Sequence, residues 1–556
     1  MEAQADLREN PFLEPERAFG RLRDKLGAAE TAAMTHGEVE ALIDVEGREV
    51  LRQLFQSHLD VRSGREVVHT DVCGADDVVR TLHRDGARKL ETLLGTVALG
   101  RQLYGAVGHA SLAPLDAELS MPKDLFSDGV QRRVADGAAQ LSFDEVTRSV
   151  RATTGAEVAK RQAERLTVGA AVDFDAFYAE RAVEPSSADA LLVMSFDGKG
   201  VVMRKGHLRA ATAEAASRRT HKLKRRLSKG EKKNLRRMAT VAAIWSVTRY
   251  VRTPEQIVRE MQPVHEVPPA RPRPTQKRVS ASLEKDPEQV VAEYFEEALR
   301  RDPDRKRRWA VLVDGAETQL GLVLGCAKAA GVEVTVVLDI IHVIEYLWEA
   351  ALCFHAEGTK AAETWVSERL LEILRGRAST VAAGMRRSAT KRRLKKTQRR
   401  GVDKCAGYLL SHKEFLRYDE YLRAGLPIAT GVIEGACRYL VKDRMDITGA
   451  RWGLPGAEAV LKLRALRASG DFDAYWAFHR RQEHERNHLR LYAGNTPPRA
   501  SGPQRPAASR ADLRLVKQGL RPPRVLRDQI SRTGSWEASP RPHSVIAVRH
   551  AAGRGC

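Results

Sequence analysis

"RWAVLVDGAETQLGLVLGCAKAAGVEVTVVLDIIHVIEYLWEAAL", residues 308–352, alternates between two patterns. "WAVLV" and "VEVTVVL" are short apolar runs rich in β-branched residues, and each closes on an aspartate, Asp314 or Asp339. Continuous apolar runs of this length suit strands covered on both faces, as in a parallel sheet. The segments that follow them have helical length. The stretch therefore reads strand, helix, strand, helix: a βαβ unit with parallel strands and a right-handed crossover.

Working outward, "LLVMSFDGKGVVMR" (191–204) is a third apolar run, ending at Asp197 and Gly198. "MATVAAIWSVTRYV" (238–251) is β-branched and aromatic, a further strand. "HEVPPARPRPTQKRVSAS" (265–282) reads as a Pro-rich charged linker. "DPEQVVAEYFEEALRRD" (286–302) reads as an amphipathic helix opened by proline. Residues 353–424 are helical and polar, and a new helix follows the Pro turn in "GLPIATGVIEGACRYL".

Upstream, residues 1–185 are expected to be mainly helical, with 76–104 compatible with helices or a hairpin. Within 141–171, Ser142 with Glu145 and Thr154 with Glu157 are two capping-box signatures, so two short helices outline a helix-turn-helix. Lys160, Arg161 and Arg165 fall on its second helix, suited to DNA, although many such hairpins bind nothing. The tail from 491 to 556 is rich in Pro, Arg, Gly and Ser and is expected to be disordered.

The 93 Lys and Arg exceed the 72 Asp and Glu, giving a formal charge of +21. That excess favours an anionic polymer as partner, nucleic acid first. Two basic runs concentrate it: 217–237, with Arg225, Arg226, Lys232 and Lys233, and 386–400, with Arg392, Arg393 and Lys395. Such runs are often only solvated, but they also neutralise phosphates and release condensed counterions. No apolar run is long enough to span a membrane. The six cysteines form no CxxC pair, which argues against a zinc knuckle or a disulfide framework. The first residues lack a signal-peptide pattern. A cytoplasmic, nucleoid-associated protein is expected.

Asp197, Asp314 and Asp339 each end an apolar strand, and functional groups of α/β sheets gather at the carboxyl ends of parallel strands. Asp-Gly alone is a common turn. Two such carboxylates held together in a basic protein, however, suit a divalent cation, and oxygen-only ligation suits Mg²⁺ or Mn²⁺. Glu434 in "GVIEGACRYL" is the candidate third carboxylate, with Arg438 one turn later; the alternative is a first-turn glutamate complementing the helix dipole. His342, three residues after Asp339, is an accessory candidate or a core histidine.

"SFDGKGVVMRK", "VLVDGAE", "VVLDIIHVIEYLW" and "GVIEGACRYLVKDRMDITGARW", in this order, resemble the ISKra group of bacterial insertion-sequence transposases, over about residues 90–490. The resemblance implies an α/β RNase H-like catalytic domain with a mixed sheet and a helical insertion, behind a mainly helical DNA-binding N-terminal region. Its parts would be 186–352 and 425–490 for the catalytic core and 353–424 for the insertion. It implies a DDE transposase that cleaves and joins DNA at terminal inverted repeats, working as a homo-oligomer on double-stranded DNA with Mg²⁺ (or Mn²⁺). Asp197, Asp314 and Glu434 would be the catalytic and metal-binding carboxylates. Asp339, where similar transposases carry a Cys-and-His motif, competes with Asp314 for the second place or stands beside the site with His342. Lys199, Arg204, Arg438, Arg451 and Trp452 would contact DNA, with Trp452 alternatively a core anchor. A catalytically inactive transposase-derived DNA-binding protein is the competing reading.

Overall fold

The computed structural model describes residues 10–183, 187–217, 235–261, 270–429 and 431–500. Arg225, Arg226, Lys232 and Lys233 of the first basic run lie outside them.

The N-terminal region is helical around a long hairpin, preceded by a short antiparallel pair, Val72–Cys73 with Val79–Arg80. Helix α1 (His36–Gly64) starts at a Thr35–Glu38 capping box and packs on an antiparallel hairpin formed by Leu82–Thr92 and Gly95–Gly105. Helices α2 (Asp128–Ala138), α3 (Phe143–Thr153) and α4 (Lys160–Gly169) then enclose a small apolar core that includes Val130, Val146, Val150 and Leu166. The Ser142–Glu145 capping box opens α3. The second expected box does not form. Thr154 instead closes α3, its hydroxyl donating to the Val150 carbonyl, and α4 begins only at Lys160. Gly155 explains the delay: its N–H donates to Leu93 O, and a Cβ there would meet the hairpin backbone at 2.6 Å.

The main core is a five-stranded mixed sheet: β1 (Leu191–Val202), β2 (Arg236–Val247), β3 (Thr275–Ser282), β4 (Trp309–Val313) and β5 (Val334–Leu338), in the order β3-β2-β1-β4-β5. β1, β2 and β3 are antiparallel neighbours; β4 runs parallel to β1, and β5 parallel to β4. β1 does not break at its glycines but continues to Val202 opposite β2. Every residue of β4 is buried, as its apolar run required.

β3 lies inside the segment read as a linker. Its polar composition is absorbed by internal partners. Arg278 is buried against Glu297 of α5 (Pro287–Arg301), and Ser280 bonds the Tyr294 hydroxyl at 2.7 Å.

α6 (Glu317–Ala330) carries the crossover from β4 to β5, and α7 (Ile340–Ala351) follows β5. The helices α8 (Lys360–Leu374), α9 (Ala378–Lys391), α10 (Arg400–Ser411) and α11 (Tyr418–Arg423) form a helical region where the insertion is expected. The chain then returns through α12 (Gly431–Ala436), a π-helical turn (Cys437–Lys442), α13 (Leu454–Ser469) and α14 (Phe472–Asn487). α13 closes the β3 edge: Glu458, buried, accepts from Ser282 Oγ and from the N–H groups of Leu283 and Glu284. Residues expected in the tail also pack inward, since Tyr492 and Ala500 are buried. Among the described residues no helix is long and apolar enough to cross a membrane.

Candidate functional site

Parallel pairing decides where the strand-end aspartates stand. The register joins Ser195 to Leu312 on β1 and β4, and Val313 to Leu338 on β4 and β5. Carried past the last paired residues, it sets Asp197 opposite Asp314, and Asp314 opposite Asp339. By that register the three aspartates fall at one level of three adjacent strands, Asp314 in the middle: Asp197 lies within β1, while Asp314 and Asp339 directly follow β4 and β5. Side chains alternate along a strand. Phe196 points to α5, where its ring meets Tyr294, so Asp197 points the other way, to the segment after α12.

That segment completes a cleft of about 490 Å³. Asp197, Lys199, Asp314, Asp339, His342, Glu345, Glu434, Cys437, Arg438 and Lys442 all line it. The structure thus gathers every acidic and accessory candidate, together with Lys199 and Arg438, in one place. The π-helical turn matters here, because its extra residue per turn changes which side chains after Glu434 share a face.

Each aspartate is anchored locally. Asp197 Oδ1 accepts from Gly198 N–H at 2.6 Å, and its Oδ2 accepts from the Cys437 thiol at 3.0 Å. Asp314 Oδ1 accepts from Ala316 N–H at 2.9 Å. Asp339 caps α7 through Ile341 N–H at 3.0 Å. Its other oxygen lies 3.5 Å from His342 Nδ1, an electrostatic contact rather than a formed hydrogen bond. The Asp339 carboxylate nevertheless holds the His342 imidazole above its ordinary pKa against the effect of burial, and Glu345 and Asp314 add to it. Burial, then the Asp197 carboxylate, pushes the Cys437 thiol far up, so it remains a donor.

The carboxylates share a cleft without closing on one point. Among the described residues, the one trio of His, Cys, Asp or Glu ligand atoms all within 4.8 Å of one another is Asp173, His479 and Glu483. That trio is an ion-pair network. Arg486 makes two 3.0 Å bonds to Asp173 and also pairs with Glu483, so a guanidinium already supplies the positive charge. In the cleft, by contrast, the donor set is carboxylate oxygen from separate elements, which suits a hard divalent cation. Like charge keeps such groups apart until a cation offsets it.

A second groove, of about 570 Å³, runs where α3 and α4 face the segment after the π-helical turn. Lys160, Arg161, Arg165, Arg204, Arg451 and Trp452 line it with Arg444. Lys160 and Arg165 also pair with Asp144 and Asp124, at 2.7 and 3.2 Å. Trp452 is a core anchor rather than a stacking platform. It is 7% exposed, its indole N–H donates to Met445 O, and the Arg444 guanidinium lies 4.9 Å over its ring. Burial lowers the Arg444 pKa to about 10. Arg392, Arg393 and Lys395 lie elsewhere, on an exposed turn between α9 and α10.

Residue reasoning missed Cys437, although its place three residues after Glu434 gave a helical signal. It also missed Tyr408 and His412, which carry no local signal. No protein-family model matches the chain, and no curated protein matches it.

Proposed function

We propose that the protein is a DNA transposase of the DDE type, cleaving and joining strands at the terminal inverted repeats of an insertion sequence. The observation that carries this reading is the row of three aspartates on or directly after adjacent parallel strands, lining one cleft with Glu434. The strand order β3-β2-β1-β4-β5, with two antiparallel pairs followed by two parallel pairs, supports an RNase H-like core. The long helical region between Asp314 and Glu434 supports an insertion in that core.

Asp197, Asp314 and Glu434 would hold Mg²⁺ or Mn²⁺, which when bound supplies Lewis-acid stabilisation and water activation for phosphoryl transfer. The chain's own groups do the rest. Lys199, Arg438 and Lys442 line the same cleft and offer cations to the phosphates flanking the scissile bond. Cys437 keeps one oxygen of Asp197 oriented. The basic groove with Lys160, Arg161, Arg165, Arg204 and Arg451 grips the duplex beyond the cleft, and α3 and α4 present a helix-turn-helix for the terminal repeat. No protein nucleophile is required, since water and then the freed 3′-hydroxyl attack phosphorus. Working on paired ends calls for a homo-oligomer.

A catalytically inactive DNA-binding protein would need the basic groove and would have no use for five acids in one cleft. Purified protein with DNA carrying the repeats that flank its own gene decides between them. Cleavage with Mg²⁺ or Mn²⁺ is expected, abolished in Asp197→Ala while binding is retained. Cleavage in EDTA, or equal cleavage by the variant, would overturn the mechanism.

A further inference from the structure

β4 and β5 stop at Val313 and Leu338, so the sheet's ladder ends just short of Asp314 and Asp339. Beyond that point the inserted helical region takes over. Tyr408, on α10, donates its hydroxyl to Asp314 O at 2.9 Å. His412, just after α10, places Nε2 2.9 Å from Gly315 O, while its Nδ1 lies 3.0 Å from the Ser411 hydroxyl. Nδ1 also faces Tyr408 O at 2.9 Å, and the tautomer that protonates Nε2 is the one that donates to Gly315 O. The consecutive carbonyls of Asp314 and Gly315 are therefore both contacted by one helix end.

The same region caps β5. Tyr418, fully buried, donates to Leu338 O at 2.9 Å, and Tyr421 donates to Val336 O at 3.1 Å. β5 is an edge strand, and these hydroxyls satisfy carbonyls that no neighbouring strand reaches.

The clamp is itself firmly seated. The Tyr408 ring stacks on Tyr346 of α7 at 4.3 Å, and Lys404 pairs with Glu349 at 2.8 Å and lies 4.7 Å over the Tyr346 ring. A Cβ at Gly401 would stand 2.2 Å from Glu349 O, so α10 approaches α7 as closely as glycine allows. Gly315 has φ +94°, and a Cβ there would meet the Tyr408 hydroxyl at 2.9 Å. The Asp-Gly pair thus fits this clamp as well as the turn.

We infer that Tyr408 and His412 are positioning residues for Asp314: the helical insertion, rather than the sheet, fixes the middle carboxylate of the cleft. The catalytic part of this inference rests on the proposed function; the clamp itself does not. In the full chain, Tyr408→Phe removes one donated bond and leaves the ring stack. Tyr421→Phe is the control, removing the same kind of bond three residues short of Asp339. Amide exchange over residues 314–317 is expected to quicken about fivefold in Tyr408→Phe, the equivalent of one hydrogen bond, and to stay unchanged in Tyr421→Phe. Mn²⁺ affinity, measured by calorimetry without DNA, is expected to weaken by a similar factor in the first variant only. Unchanged exchange in Tyr408→Phe, or equal changes in both variants, overturns the clamp. Quickened exchange with unchanged Mn²⁺ affinity overturns its role in the site. If the affinity of the unaltered chain is indifferent to Asp314→Asn, the metal reading falls instead, and the exchange comparison still decides the clamp.

Discussion

Asp314 and Asp339 look alike in sequence, and one strand spacing separates their expected roles. Adjacent strands lie about 4.8 Å apart. Asp197, within β1, and Asp314, directly after β4, stand on adjacent strands, so both can reach one cation whose oxygen ligands sit about 2.1 Å away. Asp339 stands two spacings from Asp197, about 10 Å between backbones, and so is the more remote partner for a cation held by Asp197. Replacing a carboxylate that holds the cation forfeits several kcal/mol of transition-state stabilisation. At about 4 kcal/mol, Asp197→Asn and Asp314→Asn should each slow cleavage about a thousandfold. Asp339→Asn keeps an oxygen for Ile341 N–H and loses only its charge beside His342. A loss of about 1 kcal/mol, or about fivefold, is expected there. The assay is single-turnover cleavage of a labelled terminal-repeat duplex at saturating Mg²⁺, with binding measured separately in Ca²⁺. All three variants should bind DNA at least as well as the unaltered chain, because each removes negative charge from the cleft proposed to take DNA. Asp339→Asn as inactive as Asp314→Asn would refute the reasoning from register, as would Asp314→Asn within tenfold of normal.

Gly315→Ala should cost about 2 kcal/mol in urea unfolding, from a positive φ and a Cβ pressed on the Tyr408 hydroxyl; an unchanged midpoint would contradict the packing described. Glu297→Gln leaves Arg278 and Arg301 buried without their carboxylate and should cost about 3 kcal/mol or more by the same measurement. Burial raises the Asp173 pKa, but bonds from His479 and Arg486 outweigh it and hold the carboxyl below its ordinary value. Its contribution is therefore complete above about pH 4 and is lost as pH falls through the lowered value, so the stability gap between unaltered chain and Asp173→Asn should close in acid titration. Arg161→Ala and Arg451→Ala should each weaken DNA binding and lower the slope of log affinity against log salt by about 1; a slope unchanged in both would remove the second groove from the DNA path.

The legible parts of the fold are those whose side chains satisfy their surroundings locally. β1, β4 and β5 announced themselves because both their faces are apolar, and α3 because Ser142 and Glu145 cap it reciprocally. β3 stayed hidden because Arg278 and Ser280 find their partners on α5, a separate element. α4 began late because Gly155 serves a hairpin some sixty residues upstream.

The candidate site divides along the same line. The sequence by itself singled out the candidates: aspartates after apolar runs, a glutamate on a late helix, and clustered cations. Only the tertiary structure decided that Asp314 stands between Asp197 and Asp339, that Glu434 and Cys437 return to face them, that Trp452 is core, and that an insertion clamps Asp314. The reason is physical. Strand periodicity and capping are written in neighbouring residues, whereas strand order, register and the seating of one helix end on another's carbonyls come from packing between segments far apart in the chain.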